Sequence, residues 1–177
     1  MIFTISGESG SGKTTVGNLL TSRLNYKFFS GGYFFRIKAE EYNMDLIEFS
    51  AYAEKHPEID RQEDDMIVDF MRKNDNIVIE SRLAGLMAYK NNINSIKIYL
   101  NTSLATRIDR LSRRDKNTGP KQVISRSRSE FLRYMMFYGM DYRVFTYYDY
   151  IIDTDFISPE NIVENIIKFY QKLCHYY

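Results

Sequence analysis

Residues 7–14 read Gly7-Glu8-Ser9-Gly10-Ser11-Gly12-Lys13-Thr14, which fits the phosphate-binding loop pattern G-x-x-x-x-G-K-[ST]. An apolar run at 2–5 precedes this loop and predicts a buried strand, and apolar residues at helical spacing follow it. Glycines let successive backbone N–H groups converge on one anion, and the positive end of the following helix faces the same anion. The loop and its flanks therefore predict a binding site for a nucleoside triphosphate.

The polar residues of this loop have separate expected roles. Lys13 is expected to reach the β- and γ-phosphates of ATP, and Thr14 is expected to place its hydroxyl on Mg²⁺. ATP and Mg²⁺ are therefore the predicted cofactors. The predicted nucleotide-binding residues are Gly7, Glu8, Ser9, Gly10, Ser11, Gly12, Lys13, Thr14 and Thr15. The loop does not indicate which molecule accepts the phosphate.

Alternating strand and helix patterns predict an α/β fold. Five short apolar runs, at 2–5, 26–30, 76–80, 96–100 and 150–153, alternate with helical patterns. This order is typical of a doubly wound, five-stranded parallel sheet. Between the second and third runs lies an all-helical insertion, which a turn at Gly31-Gly32 is expected to open. Asn101 or Thr102 is expected to cap the helix that follows the fourth run.

The size and charge of the chain disfavour several classes of protein. It has 177 residues and a formal net charge of +1, so no overall field favours nucleic acid or a membrane surface. No apolar run approaches membrane-spanning length, and Cys174, the only cysteine, cannot form an internal disulfide. We therefore expect a cytoplasmic protein with small-molecule substrates, no nucleic-acid or membrane partner, and a monomeric state.

Two arginines are candidates for holding a second phosphate group. Ligands of such sheets bind beyond the carboxyl ends of the strands, so Ser30 and residues 80–82 should rim one cleft, and Ser30 is a predicted substrate contact. Arg36 lies one helical turn past Gly32, and Arg82 follows the third strand. Each guanidinium can hold two phosphate oxygens. The alternative is that each arginine forms a structural salt bridge with a nearby acid.

A second arginine-rich segment, residues 107–128, reads as helix, loop and helix, with a break at 115–120. Arginines placed over a transferred phosphate stabilise its charge, so Arg110 and Arg114 are predicted catalytic residues and Arg126 a predicted substrate contact. The segment is therefore predicted to be a lid. The alternatives are a solvated face, pairing of Glu130 with Arg126 and Arg133, or an RNA-binding patch, which the low net charge disfavours.

Glu80, at the end of the third strand, is the candidate general base. A hydroxyl acceptor would need such a base, whereas a phosphate acceptor is already anionic and needs none. We favour a role for Glu80 in holding the water ligands of Mg²⁺, or in pairing with Lys13 or an arginine.

Several segments resemble the short, archaeal-type cytidylate kinases. The most specific are Glu80-Ser81-Arg82-Leu83-Ala84-Gly85 and His56-Pro57-Glu58-Ile59-Asp60-Arg61, and further matches lie at 7–15, 30–36 and 129–134. They follow one another in colinear order over nearly the whole chain. The resemblance implies the nucleoside monophosphate kinase fold and the Mg²⁺-dependent transfer of phosphate from ATP to CMP or dCMP, giving CDP or dCDP.

The resemblance also implies a division of the single domain, 1–177, into working parts. These are a core of 1–30, 76–106 and 129–177, a monophosphate-binding insertion of 31–75, and a lid of 107–128. Arg36 and Arg82 would hold the monophosphate, and Asp60 and Arg61 would lie near its base. Two positions depart from the pattern: Ser81 replaces an expected glycine, and Tyr33 stands where adenylate kinases carry aspartate.

Three other functions stay open at this point. One is an adenylate kinase, which Tyr33 disfavours, and another is a nucleoside or small-metabolite kinase that uses Glu80 as its base. The third is a phosphate-loop switch or RNA-associated regulator. A GTPase switch should carry N-K-x-D and D-x-x-G, and neither occurs in the sequence.

Overall fold

The computed structural model describes residues 1–116 and 118–175, without the side chain of His175. The predicted lid break at 115–120 and the predicted core segment 129–177 therefore extend in part beyond the described residues. No helix within the described ranges is long and apolar enough to cross a membrane.

The chain alternates strands and helices as predicted. The strands are β1 (Ile2–Ser6), β2 (Lys27–Ser30), β3 (Ile77–Glu80), β4 (Ile96–Asn101) and β5 (Tyr150–Asp153). The helices are α1 (Lys13–Leu24), α2 (Gly31–Glu41), α3 (Leu46–Ala53), α4 (Pro57–Lys73), α5 (Ala84–Lys90), α6 (Leu104–Arg114), α7 (Pro120–Tyr138) and α8 (Pro159–His175), with a short 3₁₀ turn at Phe145–Tyr147.

All five strands are parallel, in the order β2-β3-β1-β4-β5. This confirms the predicted doubly wound α/β fold. In the pairing register, Glu80 at the end of β3 lies beside Ser30 of β2 and Ile5 of β1. The residues that leave these strands therefore meet at one edge of the sheet, which is where ligands bind in such folds.

Helices cover both faces of the sheet, so most residues of its strands are apolar. On one face, Val16 and Leu20 of α1 pack with Ile166 of α8. On the other face, Ile67 of α4 packs with Leu86 of α5. Burying one such side chain stabilises the fold by about 1.5–3 kcal/mol. Continuous apolar strands are what a parallel sheet covered on both faces requires.

Three local predictions were wrong or incomplete. Gly31 and Gly32 are the first residues of α2, not a turn, because the Ser30 hydroxyl accepts a hydrogen bond from Tyr33 N (3.2 Å) and caps the helix. Ser103 caps α6 in the same way, while the predicted cap Asn101 is still in β4. Helix α5 was not predicted, because residues 84–88 are all buried and show no amphipathic period.

The predicted insertion, α2 to α4, has an apolar cluster of its own. Phe35 and Ala39 of α2 pack with Phe49 and Ala53 of α3 and Ile59 of α4. Asp45 begins α3 as predicted, in a capping box with Glu48. A separate cluster of this kind lets the three helices hold their shape as a unit.

Candidate active site

A cavity of about 310 Å³ lies at the carboxyl edge of the sheet. It is bounded by the phosphate-binding loop, the start of α2, one residue of α4, the end of β3, and parts of α6 and α7. Seven basic and three acidic side chains line it: Lys13, Arg36, Arg82, Arg110, Arg114, Arg126 and Arg133, with Glu63, Glu80 and Glu130. The excess of positive charge makes the cavity suited to phosphate groups.

The phosphate-binding loop has the backbone geometry that its glycines predict. Gly7, Gly10 and Gly12 have φ of 143°, 86° and 92°, which residues with a Cβ rarely adopt. Gly12 is the left-handed N-cap of α1, so Lys13 is the first helical residue. The Lys13 ammonium donates to the carbonyl of Glu8 across the loop (2.9 Å). The lysine and the helix end therefore point into one anion-binding turn.

The charge of Lys13 is poised to respond to a bound anion. Burial lowers its pKa to about 7, with Arg82 and Arg126 acting in the same direction and Glu80 opposing them. The anionic phosphates of a nucleotide would restore the charged form, because a nearby opposite charge stabilises an ammonium.

Glu80 joins the phosphate-binding loop to the insertion. Its Oε1 accepts a hydrogen bond from the Thr14 hydroxyl (3.0 Å) and a short one from the Ser30 hydroxyl. Thr14 lies in the first turn of α1 and Ser30 caps α2, so one carboxylate contacts both helices. A hydroxyl beside a carboxylate fits the few protein ligands that Mg²⁺ takes when it also binds phosphates and water. Among the described residues no group of three or more His, Cys, Asp or Glu could hold a metal by itself.

Glu130 of α7 holds two of the predicted arginines. It is 3% exposed, and its carboxylate accepts from Arg126 Nε (3.0 Å) and forms an ion pair with Arg82 Nη1. Both arginines still line the cavity. Burial and, to a lesser degree, the neighbouring Arg82 lower the pKa of Arg126 to about 9. The predicted pairing of Glu130 with Arg126 is present, but its other partner is Arg82.

The arginines of α6 have separate environments. Arg107 is buried, pairs with Glu8 (2.8 Å) and donates to Ser127, so it supports the phosphate-binding loop. Arg110 donates to the backbone and the hydroxyl of Thr154, beyond β5. Arg114 lines the cavity, whereas Arg113 is exposed and pairs with Asp109. The sequence did not distinguish these roles, because all four recur at helical spacing.

The predicted base contacts lie away from the cavity. Asp60 is 3% exposed and pairs with Arg133 Nε (2.8 Å), which also donates to the carbonyl of Ser50. Arg61 is exposed and does not line the cavity. Glu63, three residues after Asp60 on α4, lines the cavity instead. Glu63 was not predicted as a site residue, because it lies just beyond the segment 56–61 that resembles the family.

Proteins named cytidylate kinase are similar in sequence to this chain over nearly its whole length. That of Thermoplasma acidophilum is 39% identical over 165 residues, which span 92% of this chain and 88% of the relative. That of Methanocaldococcus jannaschii is 38% identical and covers 95% of this chain and 96% of the relative. The chain belongs to the cytidylate kinase family. The resemblance seen in the motifs is thereby confirmed.

Solved structures show how widely the cytidylate kinase fold is shared. A shikimate kinase from Acinetobacter baumannii superposes with a TM-score of 0.63 at 17% identity, over 97% of this chain and 93% of that chain. A gluconokinase from Sinorhizobium meliloti 1021 gives a TM-score of 0.65 at 14% identity, over 97% and 91%. A family model described as an AAA domain matches residues 4–133. The structural likenesses show the fold alone and leave the acceptor open.

In this member of the cytidylate kinase family, one cavity brings together residues from most of the predicted set. They are Ser9, Gly10, Gly12, Lys13, Thr14, Thr15, Arg36, Arg82, Arg110, Arg114 and Arg126. Ser30 reaches its edge through Glu80. Glu8 lies behind the loop as the partner of Arg107. Gly7 and Ser11 belong to the buried part of the loop, and Ser11 is 1% exposed.

Proposed function

We propose that this protein transfers the γ-phosphate of ATP to CMP or dCMP, giving CDP or dCDP. The observation that carries the proposal is the presence of two anion-binding groups in one cavity. One is the phosphate-binding loop with Lys13. The other is the pair formed by Arg36, in α2, and Arg82, which follows β3. A nucleoside monophosphate kinase needs both, because donor and acceptor each carry phosphate. The cytidylate kinase relatives support cytosine as the base.

The donor side of the reaction rests on residues of the loop. The loop N–H groups and Lys13 would hold the β- and γ-phosphates, and Thr14 with Glu80 would hold Mg²⁺ directly or through water. Bound with ATP, Mg²⁺ would neutralise charge on the phosphate oxygens. Arg110 and Arg114 approach from α6 and would stabilise the charge that spreads over the transferred group.

The acceptor side needs positioning more than proton transfer. Arg36 and Arg82 would turn an oxygen of the CMP phosphate toward the γ-phosphate. That oxygen is anionic at neutral pH, so no general base is required. Glu80 already accepts two hydrogen bonds from Thr14 and Ser30, which supports its role as an organiser of the site. Arg126, held by Glu130, would add positive charge between the two phosphates.

Identification of the product tests this proposal. The purified protein is incubated with ATP, Mg²⁺ and CMP, and the nucleotides are separated by chromatography. We expect CDP and ADP in equal amounts, no ADP without an acceptor beyond a slow background, and loss of transfer in a folded Lys13→Ala variant. Production of ADP without CDP, or full activity of Lys13→Ala, would contradict the proposal.

A further inference from the structure

Glu63 is a carboxyl group in a cavity built for anions. It lines the cavity together with Phe35 and Gly32 of the insertion and with Ser81 and Arg82 at the end of β3. No hydrogen bond or ion pair joins it to another residue in the part of the chain that the structure describes. Each of the two other acids in the cavity, Glu80 and Glu130, contacts protein donors. Its carboxyl oxygens are therefore free to accept a hydrogen bond from a ligand in the cavity.

The chain makes room for this carboxyl. A Cβ on Gly31 would collide with Glu63 Oε1 and would lie 2.7 Å from the Cβ of Ser81. Glycine at position 31 therefore lets Glu63 pass between α2 and the end of β3 into the cavity. Burial and the neighbouring Asp64 and Asp60 raise the pKa of Glu63 well above its usual value. A ligand group that donates a hydrogen bond to Glu63 would stabilise its ionised form and lower this pKa again.

The position of Glu63 suits the base of the acceptor. In the proposed reaction the phosphate-binding loop and α6 hold the donor, whereas Phe35 and Glu63 line the cavity from the insertion, which also carries Arg36. Phe35 is 7% exposed, and its ring packs against Phe49, so it offers a fixed apolar surface in the same cavity. A nucleobase needs an apolar surface for its face and polar groups for its edge.

We propose that Glu63 selects an amino-bearing pyrimidine by accepting a hydrogen bond from the 4-amino group of cytosine. This inference rests on the proposed function. Uracil carries a carbonyl oxygen at the same place, which would face the carboxylate oxygen acceptor to acceptor. A site that is built to bind a donor rejects the analogue that lacks it, because the buried acceptor is left unpaired. Asp60, which is paired with Arg133, cannot serve in this way.

The test compares CMP with UMP, and with the monophosphate of 2-pyrimidinone riboside, which lacks the 4-amino group. In the wild-type protein, kcat/KM should be about ten-fold or more higher for CMP than for either analogue. Glu63→Ala should lower kcat/KM for CMP by a similar factor and raise that for the two analogues, because the acceptor that they leave unpaired is gone. Glu63→Gln should retain CMP better and raise the relative use of UMP, because an amide can donate to the carbonyl at position 4.

Asp65→Asn is the matched control, since Asp65 lies on the same helix but is exposed and outside the cavity. It should leave the CMP to UMP ratio unchanged. An equal loss for CMP and both analogues in Glu63→Ala would overturn the inference. Wild-type discrimination between CMP and the 2-pyrimidinone analogue needs no variant, so absence of that discrimination would overturn it even if the variants fail to fold. Failure of the wild-type protein to phosphorylate CMP would instead refute the proposed function.

Discussion

At the scale of single residues, carboxylates hold polar and basic side chains in place in and around the cavity. Glu130 fixes Arg82 and Arg126, Glu80 fixes Thr14, and Glu8 fixes Arg107. Positive groups held in place before the substrate binds need no reorganisation during the reaction, which is the source of their catalytic value. The sequence shows which arginines are present, but it does not show which acid forms an ion pair with each one.

Arg36 and Arg82 should act on the acceptor side. Replacing either with alanine should raise the KM for CMP by about ten- to a hundred-fold, the cost of losing one charged hydrogen-bonding group, with a smaller effect on the KM for ATP. Steady-state kinetics with each substrate varied in turn gives both constants. Arg61→Ala is the matched control, because Arg61 is exposed and does not line the cavity. An effect confined to ATP would reassign the two arginines to the donor side.

Lys13 should take up a proton when ATP binds. Its pKa is lowered to about 7, and bound phosphates should raise it toward the ordinary value of a lysine. Between these two values the free protein is mostly neutral at Lys13 and the complex is charged, so affinity should fall as the pH rises above 7. Calorimetry of a non-hydrolysable ATP analogue at pH 8, in two buffers with different ionisation enthalpies, measures the uptake.

Lys13→Arg is the control for this titration, since a guanidinium stays charged throughout the range. It should bind the analogue without proton uptake from position 13. Equal binding enthalpies in the two buffers for the wild-type protein would show that Lys13 is already charged before ATP binds.

At the scale of helices and strands, we propose that two segments, the insertion 31–75 and the segment 107–128, close the cavity. The insertion has its own apolar cluster, and it meets α7 through Asp60 and Arg133. The predicted lid differs from the expectation in one respect, because Arg107 and Arg110 connect the first half of α6 to the phosphate-binding loop and to Thr154. We therefore expect the second half of the segment 107–128, past Arg110, to move more than the first.

Hydrogen exchange tests this expected closure. In the free protein, amides of 31–75 and of the segment after Arg110 should exchange faster than those of β1 and β3. A bisubstrate analogue that joins the two nucleosides through phosphates should slow exchange in both segments together, because closure excludes water from the transferred phosphate. Unchanged exchange in 111–128 on adding the analogue would show that this part is not a lid.

At the scale of the whole molecule, the sequence predicts the fold better than it predicts the site. Apolar strands and the phosphate-binding loop have local signals, and they place β1, α1 and the sheet correctly. The site depends on contacts between residues far apart in the chain, such as Arg133 with Asp60 and Arg82 with Glu130. Charge and helical spacing do not encode these pairs. The sequence therefore identified arginines of the cavity, but it did not show that Asp60, predicted near the base, pairs with Arg133 and does not line the cavity.

The same fold serves shikimate and gluconate kinases, so the architecture alone does not choose the acceptor. In this molecule a second group of basic residues lines the cavity together with the phosphate-binding loop, and the chain belongs to the cytidylate kinase family. We therefore propose that the acceptor is a phosphate group, namely the phosphate of CMP.

Competition for a limited supply of ATP tests this claim most directly. CMP, UMP, AMP and cytidine are mixed at equal concentration with Mg²⁺, the protein and a small amount of ATP, and every product is quantified by mass spectrometry. We expect CDP to form first and in the largest amount, and cytidine to remain unphosphorylated. Formation of more ADP from AMP than CDP from CMP, measured with isotope-labelled AMP, or phosphorylation of cytidine ahead of CMP, would contradict it.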